Sequence, residues 1–153
     1  MKIFQFIISF VLFLSFIQNA NSQTNVFTSA QQLEAGSSES SQDNSTGISL
    51  GMKFQSSVNG QVTAIRFYKS ISNVGTHTGQ LWTSAGSLLG TVTFTNETAS
   101  GWQQATLQTP IAIVAGQTYI VSYHSSQGFY NRSLSYFNTT SNNGSLTAIS
   151  NST

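Results

Sequence analysis

Residues 61–69 read QVTAIRFYK, and their alternation decides the fold. Successive side chains of an extended strand point to opposite faces, so Thr63, Ile65, Phe67 and Lys69 share one side and Val62, Ala64, Arg66 and Tyr68 the other. Ile65 and Phe67 are the expected core pair. No segment beyond the N-terminal leader sustains a helical period.

The same pattern extends outward from this strand. In the run YIVSYH, Tyr119, Val121 and Tyr123 are expected to face inward and Ile120, Ser122 and His124 outward. Val92 with Phe94, and Ala105 with Leu107, form similar inward pairs. Strands are expected over 48–54, 61–68, 79–83, 88–95, 102–109, 111–114 and 117–124, with further ones near 129–132 and 134–137. Asn59-Gly60, Ala85-Gly86-Ser87, Asn96 to Gly101 and Ala115-Gly116 supply the turn chemistry between them. Pro110, the sole proline, is expected at a strand boundary or an edge. Short strands with turn signals about every ten residues indicate an all-β fold, an antiparallel β-sandwich of jelly-roll or immunoglobulin-like Greek-key topology. Two inward faces packed together would bury the large apolar residues.

The flanks read differently. Lys2, the apolar block Ile3 to Ile17 and the small polar stretch Gln18 to Ser22 have the order of a secretory signal peptide, residues 1–22. The block is shorter than the roughly 20 residues that a spanning helix needs. A secreted, extracellular protein with no membrane span in the mature chain is the expectation. Gln31 to Gly47 is dense in Ser, Gln, Asn and acids, so 23–47 reads as a flexible lead-in, 48–146 as the β-sandwich module and 147–153 as a polar tail. On composition, the Asn/Ser/Thr-rich end from Asn138 onward reads as flexible.

Cysteine is absent, so no disulfide braces the module. Five basic and four acidic residues give a net charge of +1. Lys53, Arg66, Lys69 and Arg132 are too few and too scattered for a nucleic-acid surface. Asn44, Asn96, Asn131, Asn138, Asn143 and Asn151 each open an Asn-x-Ser/Thr pattern and are candidate glycosylation sites.

Chemistry-bearing residues are sparse. There are two histidines, and Glu97 is the lone carboxylate inside the β-rich region. An enzyme acting alone is not expected, and no cofactor is implied. His77, His124 and Glu97 form the sole constellation for a transition metal, without a local ligand spacing to support it. The alternative is that both histidines are hydrogen-bonding residues of loops or strand ends. A calcium site built from carbonyls, Asn side chains and Glu97 would leave no signature. Aromatics beside amides suit sugars, whose C–H faces stack on rings while amides bond the hydroxyls. Trp102 precedes Gln103-Gln104, and Trp82 sits beside Gln80 and Thr83. Candidate ligand-binding residues are therefore Trp82, Trp102, His77, Glu97, Gln104, His124 and Tyr130. The competing reading places both tryptophans in core or turn packing.

FQSSVNGQVTAIRFYKS, NVGTHTGQLWTSAGSLLGTVTFTNETASGWQQ and TYIVSYH together resemble domain-of-unknown-function family 4082, a bacterial-type secreted module. The likeness runs in order from about Leu50 to Leu146, through Phe54, Ile65 to Lys69, Gly75-Thr76-His77, Leu81-Trp82, Phe94 to Thr98, Gly101 to Gln104, Tyr119 and Tyr123-His124. It implies a β-sandwich appended to large extracellular proteins, in company that suggests adhesion or carbohydrate binding. Family members continue beyond the segment matching Asn142 to Leu146 into a further strand region. On that comparison an open sheet edge, available for self-association, is expected here.

The expected function is a non-enzymatic exported module that binds glycans or other cell-surface or matrix components through aromatics around Asn73 to Trp82 and Asn96 to Trp102. A structural or adhesive spacer without a small ligand is the alternative, and a metal-assisted hydrolase the second alternative.

Overall fold

The computed structural model describes residues 24–27, 39–42, 47–132 and 139–150. Ten strands follow in chain order: β1 Glu39–Gln42, β2 Ile48–Ser56, β3 Gly60–Lys69, β4 His77–Thr83, β5 Leu88–Thr93, β6 Gly101–Ile113, β7 Thr118–Ser125, β8 Phe129–Arg132, β9 Ser141–Asn143 and β10 Leu146–Ala148. Among the described residues all are paired antiparallel. A large sheet has the order β5-β4-β7-β2-β10-β9; β3 and β6 form a ribbon, and β1 pairs with β8. The fold is an all-β sandwich, with the ribbon packed on the inner face of the large sheet.

The alternation in 61–69 has the consequence expected of it. Ile65 and Phe67 from the ribbon are buried with Phe94, Ala105 and Leu107, and Val92, Val121 and Tyr123 pack against them. Phe67 stacks on Tyr123 with ring centroids 4.6 Å apart and receives the edge of Phe94 at 4.7 Å. A second cluster joins Phe54, Leu81, Ile113 and Tyr119. Gly79 lets the layers approach: a Cβ there would lie 2.9 Å from Ile65 Cγ2. At the β4–β5 turn Gly86 takes φ 88°, a conformation costly for residues with a side chain, and its N–H bonds the Thr83 carbonyl.

Three expectations need correction. The strands expected over 102–109 and 111–114 are one, β6, which runs through Pro110; among the described residues β6 pairs with β3 alone, so Pro110 sits on an edge strand as expected. The register steps from Val62↔Ile111 to Ala64↔Thr106, so Leu107 to Pro110 form a bulge opposite Thr63, where a missing N–H breaks no ladder bond. The lead-in is not structureless throughout: β1 lies inside it, and Val26 packs against the second core cluster. Nor is the C-terminal stretch a plain tail. Leu146–Ala148 pairs with Phe54–Ser56 of β2, and Ala148 is 0% exposed. Asn143 ties the two ends together, its Nδ2 donating to the carbonyls of Asn25 at 2.8 Å and Phe27 at 3.1 Å. The signal peptide and the strand expected near 134–137 lie outside the described residues. No helix among the described residues is long and apolar enough to cross a membrane.

Candidate functional site

Apart from Tyr130, the residues singled out from sequence fall into three separate places. The first is a buried knot at one end of the sandwich. Lys69 continues the inward face of β3, and burying its ammonium requires an anion. Glu97, on the β5–β6 loop, supplies it: Lys69 Nζ donates to Oε2 at 2.8 Å, with the two side chains 10% and 11% exposed. His77, first residue of β4, lies 2.9 and 3.0 Å from the two Glu97 oxygens through Nδ1, which donates to the carboxylate. Its Nε2 meets the Asn73 carboxamide at 2.8 Å, and Ser125 Oγ donates to Asn73 Oδ1 at 2.9 Å. Phe67 covers the imidazole at 4.9 Å.

A histidine beside a carboxylate resembles part of a hydrolytic relay, but this one has no access. His77, Asn73 and Ser125 are 0% exposed, and Asn73 stands between the imidazole and the serine. The knot therefore pins two loops, Ser70 to Thr76 and Thr95 to Ser100, onto the sheet. Gln103 completes it, accepting from Thr98 N–H at 2.9 Å and donating to Thr98 Oγ1 at 2.7 Å and to the Gly101 carbonyl at 3.0 Å. Sequence reading named His77 and Glu97 as candidate ligand or metal residues, with a hydrogen-bonding strand-end histidine as the alternative that His77 matches, and did not single out Lys69, Asn73, Gln103 or Ser125. The signal for Lys69 was present, since a lysine in phase with two core residues needs an acid and the module holds one.

The structure separates His124 from this pair. It lies on the outer face of β7, where Ser49 Oγ is 3.1 Å from its Nδ1. The three-residue metal set is thus not assembled, and no cluster of three or more such ligands occurs among the described residues.

The second place is the outer face of the large sheet. On β4, His77, Gly79 and Leu81 are buried while Thr78, Gln80 and Trp82 point away from the core. The register sets Thr78 beside His124, Gln80 beside Ser122 and Trp82 beside Ile120 on β7, and next to these Ser49, Gly51 and Lys53 on β2. Hydrogen bonds fix the polar groups across strands. Trp82 Nε1 donates to Ser122 Oγ at 2.9 Å, Ser122 Oγ to Gln80 Oε1 at 3.1 Å, and Gln80 Nε2 to Thr78 Oγ1 at 3.1 Å. Gln55 Nε2 donates to Thr118 Oγ1 at 2.8 Å further along. Gly51 has no side chain, which leaves the floor low between Ser122 and the edge; a Cβ there would meet Ser122 Cβ at 2.9 Å.

Trp102 is on the opposite side of the molecule, the outer face of the ribbon. Its ring is already engaged: Tyr68 meets it edge-on at 5.7 Å, Phe27 lies at 5.9 Å, and the Arg66 guanidinium sits 5.1 Å above it. Gln104 is exposed beside it. A cleft of about 810 Å³ runs past Phe27, Ala64, Trp102 and Leu146 between ribbon and sheet. Leu81 and Ile65, 0% and 2% exposed, are among the residues that line it. Tyr130 belongs to β8, opposite Ser41, and acts on Tyr123 rather than on either tryptophan. Burial, together with the neighbouring Tyr130, raises the Tyr123 phenol well above its usual range against a smaller opposing effect of the Asn131 backbone.

An antiparallel β-sandwich module with a buried polar knot and a hydrogen-bonded polar outer face is the class that these features define. The chain belongs to the family described as domain of unknown function (DUF4082), whose pattern matches residues 34–153 and so takes in β1 and the β9–β10 hairpin. No curated protein matches it.

Proposed function

We propose that the protein is a non-enzymatic, exported module that binds carbohydrate, or another polymer of an extracellular surface, on the outer face of its large sheet. The observation that carries this reading is the row Trp82, Ser122, Gln80 and Thr78, in which an aromatic plane and polar groups are locked together before any ligand arrives. Strands about 4.8 Å apart and same-face side chains about 7 Å apart along each strand make a regular grid of donors and acceptors. Such a grid suits a repeating chain of hydroxyls, and fixing the groups in advance reduces the ordering cost of binding. The leader pattern in 1–22 supports export. The Trp102 face is the weaker candidate, because its ring is stacked by the protein itself.

The test is a glycan array that includes insoluble polysaccharides, probed with the mature wild-type protein and with the Trp82→Ala and Trp102→Ala variants. Loss of retention in Trp82→Ala, with Trp102→Ala binding as wild type does, is expected. Wild-type retention by a folded Trp82→Ala protein removes this face as the site. Silence of folded wild-type protein across the array favours a structural or adhesive role without a small ligand.

A further inference from the structure

Of the six Asn-x-Ser/Thr patterns, Asn96, Asn131 and Asn143 lie in the described residues, and they sit in different surroundings. Asn96 is exposed, takes φ 56°, and its carboxamide makes no hydrogen bond among the described residues. Asparagine tolerates this left-handed conformation better than most residues. The loop around it is held from within. Glu97 turns inward to Lys69 and His77, Phe94 N–H donates to the His77 carbonyl at 3.0 Å, and Thr98 is gripped by Gln103. An inward Glu97 leaves its neighbour Asn96 displayed on a rigid stem.

Asn143 is the opposite case. Its Nδ2 already gives both hydrogens to the carbonyls of Asn25 and Phe27. Asn131 is half-buried on β8 and has a partner of its own.

We infer that Asn96 carries an N-glycan in the folded domain and that a chain modified at Asn143 does not reach the folded state. In the transfer, Asn96 Nδ2 bonds to the anomeric carbon of an oligosaccharide carried on a polyprenyl pyrophosphate. The carbon–oxygen bond to the carrier breaks, the lipid pyrophosphate leaves, and Nδ2 loses one proton. In the folded loop Thr98 Oγ1 donates to the Ser100 carbonyl at 2.8 Å, so transfer acts on the chain before this loop closes. Folding then sorts the products. A glycosylated amide keeps a single N–H, which at Asn96 costs nothing and at Asn143 removes one of two bonds and drives a sugar into residues 24–27.

The experiment is secretion of the full chain from a eukaryotic host, enzymatic release of glycans in heavy-oxygen water, and mass mapping of the tagged positions. The tag is expected at Asn96 and absent from Asn143. Asn96→Asp, which suits the same backbone conformation, is expected to remove one glycan's mass while preserving the melting temperature of wild-type protein made without glycans in a bacterial host. Folded, secreted protein that is unmodified at Asn96, or that carries a glycan at Asn143, overturns the inference.

Discussion

Replacing Glu97 with leucine isolates what the buried knot contributes. The carboxylate receives Lys69 Nζ and His77 Nδ1, both within 3.0 Å, and its side chain is 11% exposed. Removing it leaves a lysine ammonium that is nine-tenths buried without its counter-charge, a change that costs about 3–5 kcal/mol in other proteins. Much of that cost belongs to the stranded cation rather than to the lost attraction. Lys69→Met alone should therefore cost less, since Glu97 retains His77 and partial contact with water. The double variant Lys69→Met/Glu97→Leu should recover part of the Glu97→Leu loss, with a coupling of at least about 1 kcal/mol, as residues of one network are not additive. Urea unfolding of the four proteins at neutral pH, with slopes checked for constancy, gives the cycle. Additive losses within about 0.5 kcal/mol, or a Glu97→Leu cost below about 1 kcal/mol, would refute the claim that this acid neutralises a buried charge.

Asn143→Asp exchanges a double donor for oxygens that face the carbonyls of Asn25 and Phe27; a loss of about 1–3 kcal/mol is expected, with residues 24–27 becoming sensitive to protease, and unchanged cleavage would contradict it. Gly79→Ala presses a methyl group against Ile65, and calorimetry should show a loss of about 1–3 kcal/mol that the Ile65→Ala background reduces. For Tyr123, the raised phenol keeps its proton in the folded state while the unfolded chain ionises near pH 10, so stability falls as pH climbs above about 10. Absorbance titration should show one late phenol that disappears in Tyr123→Phe; a uniform titration of all tyrosines would refute it.

Where one face of a strand is buried, the period of two was enough to read it. Ile65 and Phe67, Tyr119, Val121 and Tyr123, and Ala105 with Leu107 all face inward as their spacing indicates. What escaped was whatever depended on partners far along the chain. Pro110 carries a local stop signal that the bulge opposite Thr63 overrides. Leu146 to Ala148 lack a strand's composition and become one through pairing with β2, where a single alanine fills the available space. The candidate site suffered most from this limit. His77 and Glu97 were conspicuous as rare residue types, but residue type does not say which way a side chain points. Trp82 and Trp102 look alike in sequence, beside glutamines, yet they lie on opposite faces because they occupy strands of different sheets.

The clamp between Asn143 and residues 25–27 also sets a clock. Its two bonds span 118 and 116 positions of chain, so it contributes strongly to contact order, the feature that slows folding. Elongation proceeds at about 5–20 residues per second, and Asn143 therefore emerges on the order of 10 s after Asn25. Throughout that interval Val26 has no C-terminal hairpin to hold it, and the inner edge of β2 waits for β10. The domain closes as a belt fastened last, after translation has passed its final hairpin, and a chaperone or export channel would meet it unbuckled.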